Sequence, residues 1–107
     1  MKKFLTLMLT LILAVSACFG LTDCGEGDDD FKVGLICLHG ESSTYDKNFI
    51  DAFNAACEVK GVEKIIKVDI AESTACYDAA ADLVDQGCDL IFADSFGHED
   101  HIIKAAE

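Results

Sequence analysis

The residues best suited to chemistry lie late in the chain, in "DLIFADSFGHED" (Asp89–Asp100) and the His101 that follows. Three chemistries compete for them. His98 and His101 sit at i, i+3 and can share a helix face. The zinc-hydrolase pattern, however, needs two histidines at i, i+4 with a glutamate base between them, and only His39 is left to complete a set. No metal is expected, and both histidines read as helix surface. Ser95 follows an apolar run as a nucleophile would, but "A-D-S-F-G" has Ala93 where the elbow pattern has its first Gly. No triad Asp and His follow in order, so an enzyme is not expected either. Binding fits better. Ser95, Phe96 and Gly97 would stand at a helix N-terminus, whose N–H groups point outward. Phe96, with Tyr45 or Phe49, can stack on a planar ring, an interaction worth about 1–3 kcal/mol per base. Asp46 and Asp100 can accept hydrogen bonds from ligand hydroxyls; a buried acceptor left unpaired costs ~1–3 kcal/mol. Carboxylates facing a pocket disfavour an anion, so a nucleoside suits the set better than a nucleotide. The plainer readings are that Phe49 and Phe96 are core and that Asp100 only complements a helix dipole.

The elements that must position these residues follow from hydrophobic periodicity. "KVGLICL" (Lys32–Leu38) is a near-continuous apolar run, suited to a parallel strand buried on both faces. A turn, "HGESSTYD", leads to a helix start at Ser43 and Asp46. Phe49, Phe53, Ala56 and Cys57 then recur as one helical stripe, and Gly61 fits the left-handed residue past the helix end. "KIIKVDI" (Lys64–Ile70) reads as a half-exposed edge strand. Ser73 or Thr74 can cap a second helix, whose apolar face is Cys76, Ala79, Ala80, Leu83 and Val84, ending at Gly87. "CDLIFAD" (Cys88–Asp94) is a third strand, and a third helix begins near His98.

The order is thus β-α-β-α-β-α, with strands starting roughly 24–32 residues apart, close to one βαβ unit. It predicts an α/β fold: a parallel sheet with flanking helices, right-handed crossovers and strand order 2-1-3. Ligands would bind between strands 1 and 3, beyond their C-terminal ends. The loops His39–Asp46 and Asp94–Asp100 would flank that crevice; the loop after strand 2 would not.

Composition limits the partners. The 107-residue chain has room for one small domain, and its formal charge is −12, with 20 acidic residues against 8 Lys and no Arg. Phosphate backbones need clustered cations, so nucleic acid is excluded as a partner. Docking on anionic lipid through a basic face is excluded too. Residues 1–17 read as a secretory signal: Lys2 and Lys3, then the apolar run Phe4–Val15 and small residues. That run covers roughly 18 Å as a helix, against ~30 Å of bilayer hydrocarbon. Continued to Leu21 it reaches roughly 27 Å, which keeps an uncleaved anchor as the alternative. Either way the acidic body faces outward.

"V-S-A-C" at Val15–Cys18 resembles a bacterial lipobox. The resemblance implies cleavage before Cys18, acylation of its thiol and attachment to the outer side of the cell membrane, stable once more than one chain is attached. Residues 18–30, rich in Gly and Asp, would be a tether. The chain has 6 Cys; with Cys18 acylated an odd number remains, so they cannot all pair within the chain. Cys57 and Cys76 occupy apolar helical positions, and a disulfide between them is one possibility outside the cell.

With these motifs placed, Lys32–Glu107 resembles the opening of the basic membrane protein (PnrA-like) family of substrate-binding lipoproteins of ABC transporters. The resemblance lies in "KVGLICLHGESSTYDKNF", "AAADLVDQGCDLIFADSFG" and "HEDHIIKAAE". It implies a type I periplasmic-binding-protein fold, with two α/β lobes closing on a ligand. Many members hold purine nucleosides by stacking on the base and by carboxylates on the ribose, with no cofactor, and deliver them to a permease. Asp46 and Phe49 match the family's D-x-S-F positions, while Ile50 departs from its usual Asn. Ser95, Phe96, Gly97 and Asp100 match SFG-x-x-D. The resemblance covers residues 31–107 as an incomplete first lobe, so the chain reads as an N-terminal piece unable to clamp a ligand alone. An extracytoplasmic sensor or surface lipoprotein on the same fold is the alternative.

Overall fold

The computed structural model describes residues 30–107. The expected signal peptide, the lipidation site Cys18 and most of the tether lie outside the described residues. The elements run β1 (Lys32–Ile36), α1 (Thr44–Lys60), β2 (Glu63–Lys67), α2 (Thr74–Asp85), β3 (Leu90–Ala93), a 3₁₀ turn (Phe96–His98) and α3 (Glu99–Ala106). The three strands form one parallel sheet in the order β2-β1-β3. This is the expected order, and the architecture is that of a partial Rossmann-like lobe. The strands are shorter than the apolar runs because their last residues turn from the ladder into loops. Ladder-like bonds still run past the ends, from Cys37 N to Lys67 O (2.8 Å) and from Asp94 N to Ile36 O (3.0 Å).

Alternation along the strands sorts side chains onto two faces. On one face Val33, Leu35 and Cys37 pack against Ile50, Phe53 and Cys57 of α1. On the other, Ile36 packs against Cys76, Ala79, Ala80 and Leu83 of α2, with Ile91, Ala93 and Ile102 beside them. The buried stripe of α1 is Asp46, Ile50, Phe53 and Cys57. The expected stripe through Phe49 and Ala56 is rotated by about one position, so Phe49 faces outward at 42% exposure. In α2 the expected face holds except at Val84, which is exposed.

The Cys57–Cys76 bridge is not formed. Both are free thiols, and they lie in separate clusters on opposite faces of the sheet. Sequence spacing had placed both on apolar helical faces without showing that successive helices take opposite sides.

Local chemistry explains the helix ends. Ser43 caps α1 by accepting from Asp46 N, and Gly61 closes the helix at φ 65° with its N–H on Glu58 O (3.2 Å). Ser73 caps α2 through Ala75 N (3.2 Å). Gly34 lets α2 lie close on the sheet: a Cβ there would stand 2.8 Å from Leu83 Cδ1.

This contact makes a direct test of the packing. Leu83 is fully buried, so Leu83→Ala should cost about 2–5 kcal/mol in urea unfolding. Gly34→Ala should cost about 1–3 kcal/mol by overpacking. Combined, they should cost clearly less than the sum, because the cavity of one accepts the methyl of the other.

Candidate functional site

The candidate site lies at the C-terminal ends of β1 and β3. The sheet register fixes its floor: Ile36 pairs with Ala93, so the next residues, Cys37 and Asp94, stand side by side. The first turn of α1 places Asp46 above them. Thiol and carboxylates fall within 4.8 Å of one another, and all three residues are buried.

Two backbone amides hold the carboxylates. Leu38 N donates to Asp94 Oδ1 at 3.1 Å, and His39 N donates to Asp46 Oδ1 at 2.9 Å. Tyr45 Oη donates to Asp94 O at 3.0 Å, closing the same corner from α1. The loops after β1 and β3 therefore meet, as expected.

Asp46 is not presented to the crevice, contrary to its expected ligand role. It is 1% exposed. It caps the turn after β1 instead, because the chain between Cys37 and Ser43 curls its amides onto it. Burial alone would raise the Asp46 carboxyl, but the Ser43 hydroxyl, the His39 N–H and the Asp94 carboxyl favour its ionised form and hold it at about 2. Burial pushes the Asp94 carboxyl above its ordinary range; the Leu38 N–H opposes this and the Asp46 carboxylate adds to it. Burial, followed by Asp94 and then Asp46, pushes the Cys37 thiol up to about 12. The thiol is thus protonated and no nucleophile at ordinary pH.

The loop after β2 was expected to stay clear of the crevice, yet it enters. Ile70 N bonds to Cys37 O at 3.0 Å, which folds that loop back over the end of β1. Glu72 then accepts a hydrogen bond from the Ser95 hydroxyl and another from Gly97 N at 3.2 Å. The Ser95 bond, with help from the Gly97 N–H, lowers the Glu72 carboxyl. A Cβ at Gly97 would displace the Glu72 carboxylate from this position. Both donors that a ligand was expected to meet are occupied by this side chain.

His98 is likewise not on the helix surface. It is fully buried, with Nε2 2.8 Å from Ile70 O and its own carbonyl 3.8 Å from the Cys76 thiol. The 3₁₀ turn tips the ring inward beneath the loop after β2. His101 is partly exposed, and Asp100 is exposed in the first turn of α3.

The aromatic residues remain at the rim. Phe96 is 89% exposed, so it is not core. Tyr45 and Phe49 form an exposed tilted pair, ring centroids 5.0 Å apart. Of the expected set, the rim thus carries Phe49, Ser95, Phe96, Gly97 and Asp100, while Asp46 belongs to the floor. Cys37, Glu72 and Asp94 were missed as participants. The available signal was a polar or thiol residue ending each apolar strand run, at Cys37 and Asp94. Nothing in the sequence marked Glu72.

A further cavity lies elsewhere. About 420 Å³ opens on the α1 face beside β3, lined by Phe31, Val33, Phe53, Leu90 and Phe92 with Lys60 at its margin. It lacks the convergent polar groups of a small-molecule site. It is a cleft between α1 and the outer part of the sheet.

Comparison with protein-family models and with curated proteins found no match.

The carboxyl pair makes stability depend on pH with a definite sign. Asp46, lowered in the folded state, contributes stability above the unfolded carboxyl range of about 4 that is lost as pH falls toward 2. Asp94, raised in the folded state, contributes stability present below about pH 4 that is lost as pH rises through its folded value. Cys37 and Asp46 are the ionisable groups facing it. Stability should peak at mildly acidic pH and decline toward neutral. Asp94→Asn keeps an acceptor for Leu38 N and gives Asp46 a neutral donor. It should flatten the neutral limb and raise stability at pH 7 by about 1–3 kcal/mol in urea unfolding, the cost of an unsatisfied buried group.

Proposed function

We propose that the chain is the ligand-contacting part of an extracytoplasmic substrate-binding lipoprotein, held to the membrane through Cys18, that serves an ABC importer for purine nucleosides. The observation carrying this reading is the exposure of three aromatic rings at the switch point of a parallel sheet. Phe96 is 89% exposed, and Tyr45 and Phe49 are 58% and 42% exposed. Open α/β sheets bind ligands in this crevice. Large apolar rings left in water there suit a planar partner that removes them from it.

The polar groups fit a neutral ligand. Glu72 and Asp100 at the rim would repel a phosphate, and the buried Asp46 and Asp94 add to the negative field. Base hydroxyls, amides and ribose hydroxyls can donate to Glu72 without disturbing its bonds from Ser95 and Gly97, since its second oxygen takes neither of them. The described residues offer one wall of such a site. A ring stacked on one side gains about 1–3 kcal/mol, against ~4.1 kcal/mol for a Kd of 1 mM. Binding by this wall alone is therefore expected to be millimolar or weaker.

Saturation-transfer NMR on the full chain in detergent tests the reading. Inosine or guanosine should receive saturation at the purine protons, and free ribose should not. Phe96→Ala should lower the purine signal by at least about half if that ring supplies most of the stacking. Purine signals that are absent, or unchanged in Phe96→Ala, would remove the basis for a nucleoside ligand.

A further inference from the structure

The floor of the crevice has chemistry that nucleoside recognition does not use. Val33, Leu35 and Cys37 alternate onto the α1 face of the sheet. Asp94 follows the β3 register onto the same face, next to Cys37. The first turn of α1 brings Asp46 onto both, from the helix's own buried stripe. The three residues are 0%, 1% and 6% exposed for Cys37, Asp46 and Asp94, respectively. One donor atom from each lies within 4.8 Å of the other two.

The backbone amides hold this trio by one oxygen of each carboxylate. His39 N and Leu38 N each take one oxygen, the Oδ1 of Asp46 and of Asp94. Asp94 Oδ2 is buried and has no hydrogen-bond partner among the described residues. A buried carboxylate oxygen without a partner is uncommon and costly. Here it lies beside a thiol and a second carboxylate.

We propose that Cys37, Asp46 and Asp94 form a binding site for a thiophilic divalent cation of the zinc class. Zinc takes thiolate and carboxylate ligands at about 2.0–2.3 Å, which sets tetrahedral donors roughly 3.3–3.8 Å apart. The donor atoms of the trio lie within 4.8 Å of one another, so a bound ion would draw them closer together. Calcium needs 6–8 oxygens and magnesium keeps several waters, and three buried ligands that include a thiol satisfy neither ion. The Leu38 and His39 amides act as outer partners. They fix each carboxylate by one oxygen and leave the other for the metal.

The exchange balances. The S–H bond of Cys37 breaks, its proton passes to solvent together with any that Asp94 carries, and the dication forms bonds to Sγ and to one oxygen of each carboxylate. With thiolate and both carboxylates ionised, the three negative charges and the dication leave one net negative charge in the site. Bound there, it would cross-link the end of β1, the start of α1 and the end of β3 directly beneath the crevice. The inference is independent of the nucleoside reading.

Cadmium is the probe, because a thiolate ligand gives it an ultraviolet charge-transfer band. The full chain is reduced, stripped with chelator and titrated with cadmium alone. The band should saturate at a single equivalent. It should weaken at least about 100-fold in affinity in Asp94→Asn and in Cys37→Ser, since even second-shell losses cost ~10–100-fold. Cys57→Ser and Cys88→Ser should leave it unchanged. Zinc should raise the thermal midpoint of the wild-type chain but not of Asp94→Asn. That variant removes a ligand while relieving a buried carboxyl, so it remains folded and decides the matter even if Cys37→Ser does not fold. No band, or a band that Asp94→Asn leaves unchanged, overturns the site.

Discussion

Two amide-to-carboxylate hydrogen bonds, made by adjacent residues, organise the upper half of this domain. Leu38 N holds Asp94 and His39 N holds Asp46. Through them the chain leaving β1 is tied both to the end of β3 and to the first turn of α1. Charge-assisted bonds of this kind are stronger than neutral ones, and here they are partly buried on buried carboxyls, where breaking one strands a carboxylate. The positions of the rim residues follow from this tie. Tyr45 reaches Asp94 O because α1 begins where Asp46 anchors it. Ser95 and Phe96 leave the sheet at a point set by Asp94. The rim aromatics are therefore arranged by a floor that takes no part in stacking.

The second constraint comes from the edge strand. β2 lies beside β1 at the far side from β3, yet its following loop reaches over the end of β1 and supplies Ile70 O to His98 and Glu72 to Ser95 and Gly97. Three successive βα loops thus converge on one corner. An acidic chain with a formal charge of −12 concentrates carboxylates there in two layers. Asp46 and Asp94 are inside, where hydrogen bonds keep Asp46 ionised and burial raises Asp94. Glu72 and Asp100 are at the rim, where water tolerates their charge.

Much of the fold was legible in the sequence. The run "KVGLICL" is apolar at nearly every position because both faces of the central strand β1 are covered; "CDLIFAD" is as apolar, although Leu90 and Phe92 of β3 stay exposed on the α1 side, and "KIIKVDI" carries its charges because it is an edge. Strand order followed from that contrast. The rotation of α1 did not, since Phe49 and Ile50 are both apolar and either could have faced the sheet. The two were separated only by Asp46, a polar residue in the buried stripe, which periodicity counts against burial. His98 was misplaced for a related reason: a polar ring in a charged segment reads as surface unless the carbonyl that receives it, here Ile70 O, is known. Glu72 was beyond reach, because its partners lie 23 and 25 residues away and the contact depends on how a loop folds back.

Amide hydrogen exchange at Leu38 and His39 measures the tie most directly. Both residues lie beyond the end of β1, in a loop that would otherwise exchange freely. If their N–H groups are held by Asp94 and Asp46, they should exchange as slowly as Leu35 and Ile36 within the strand, opening only with the domain as a whole. Exchange as fast as that of the exposed Glu41 and Ser42 would show that the carboxylates do not hold this loop, and the arrangement of the site would lose its foundation.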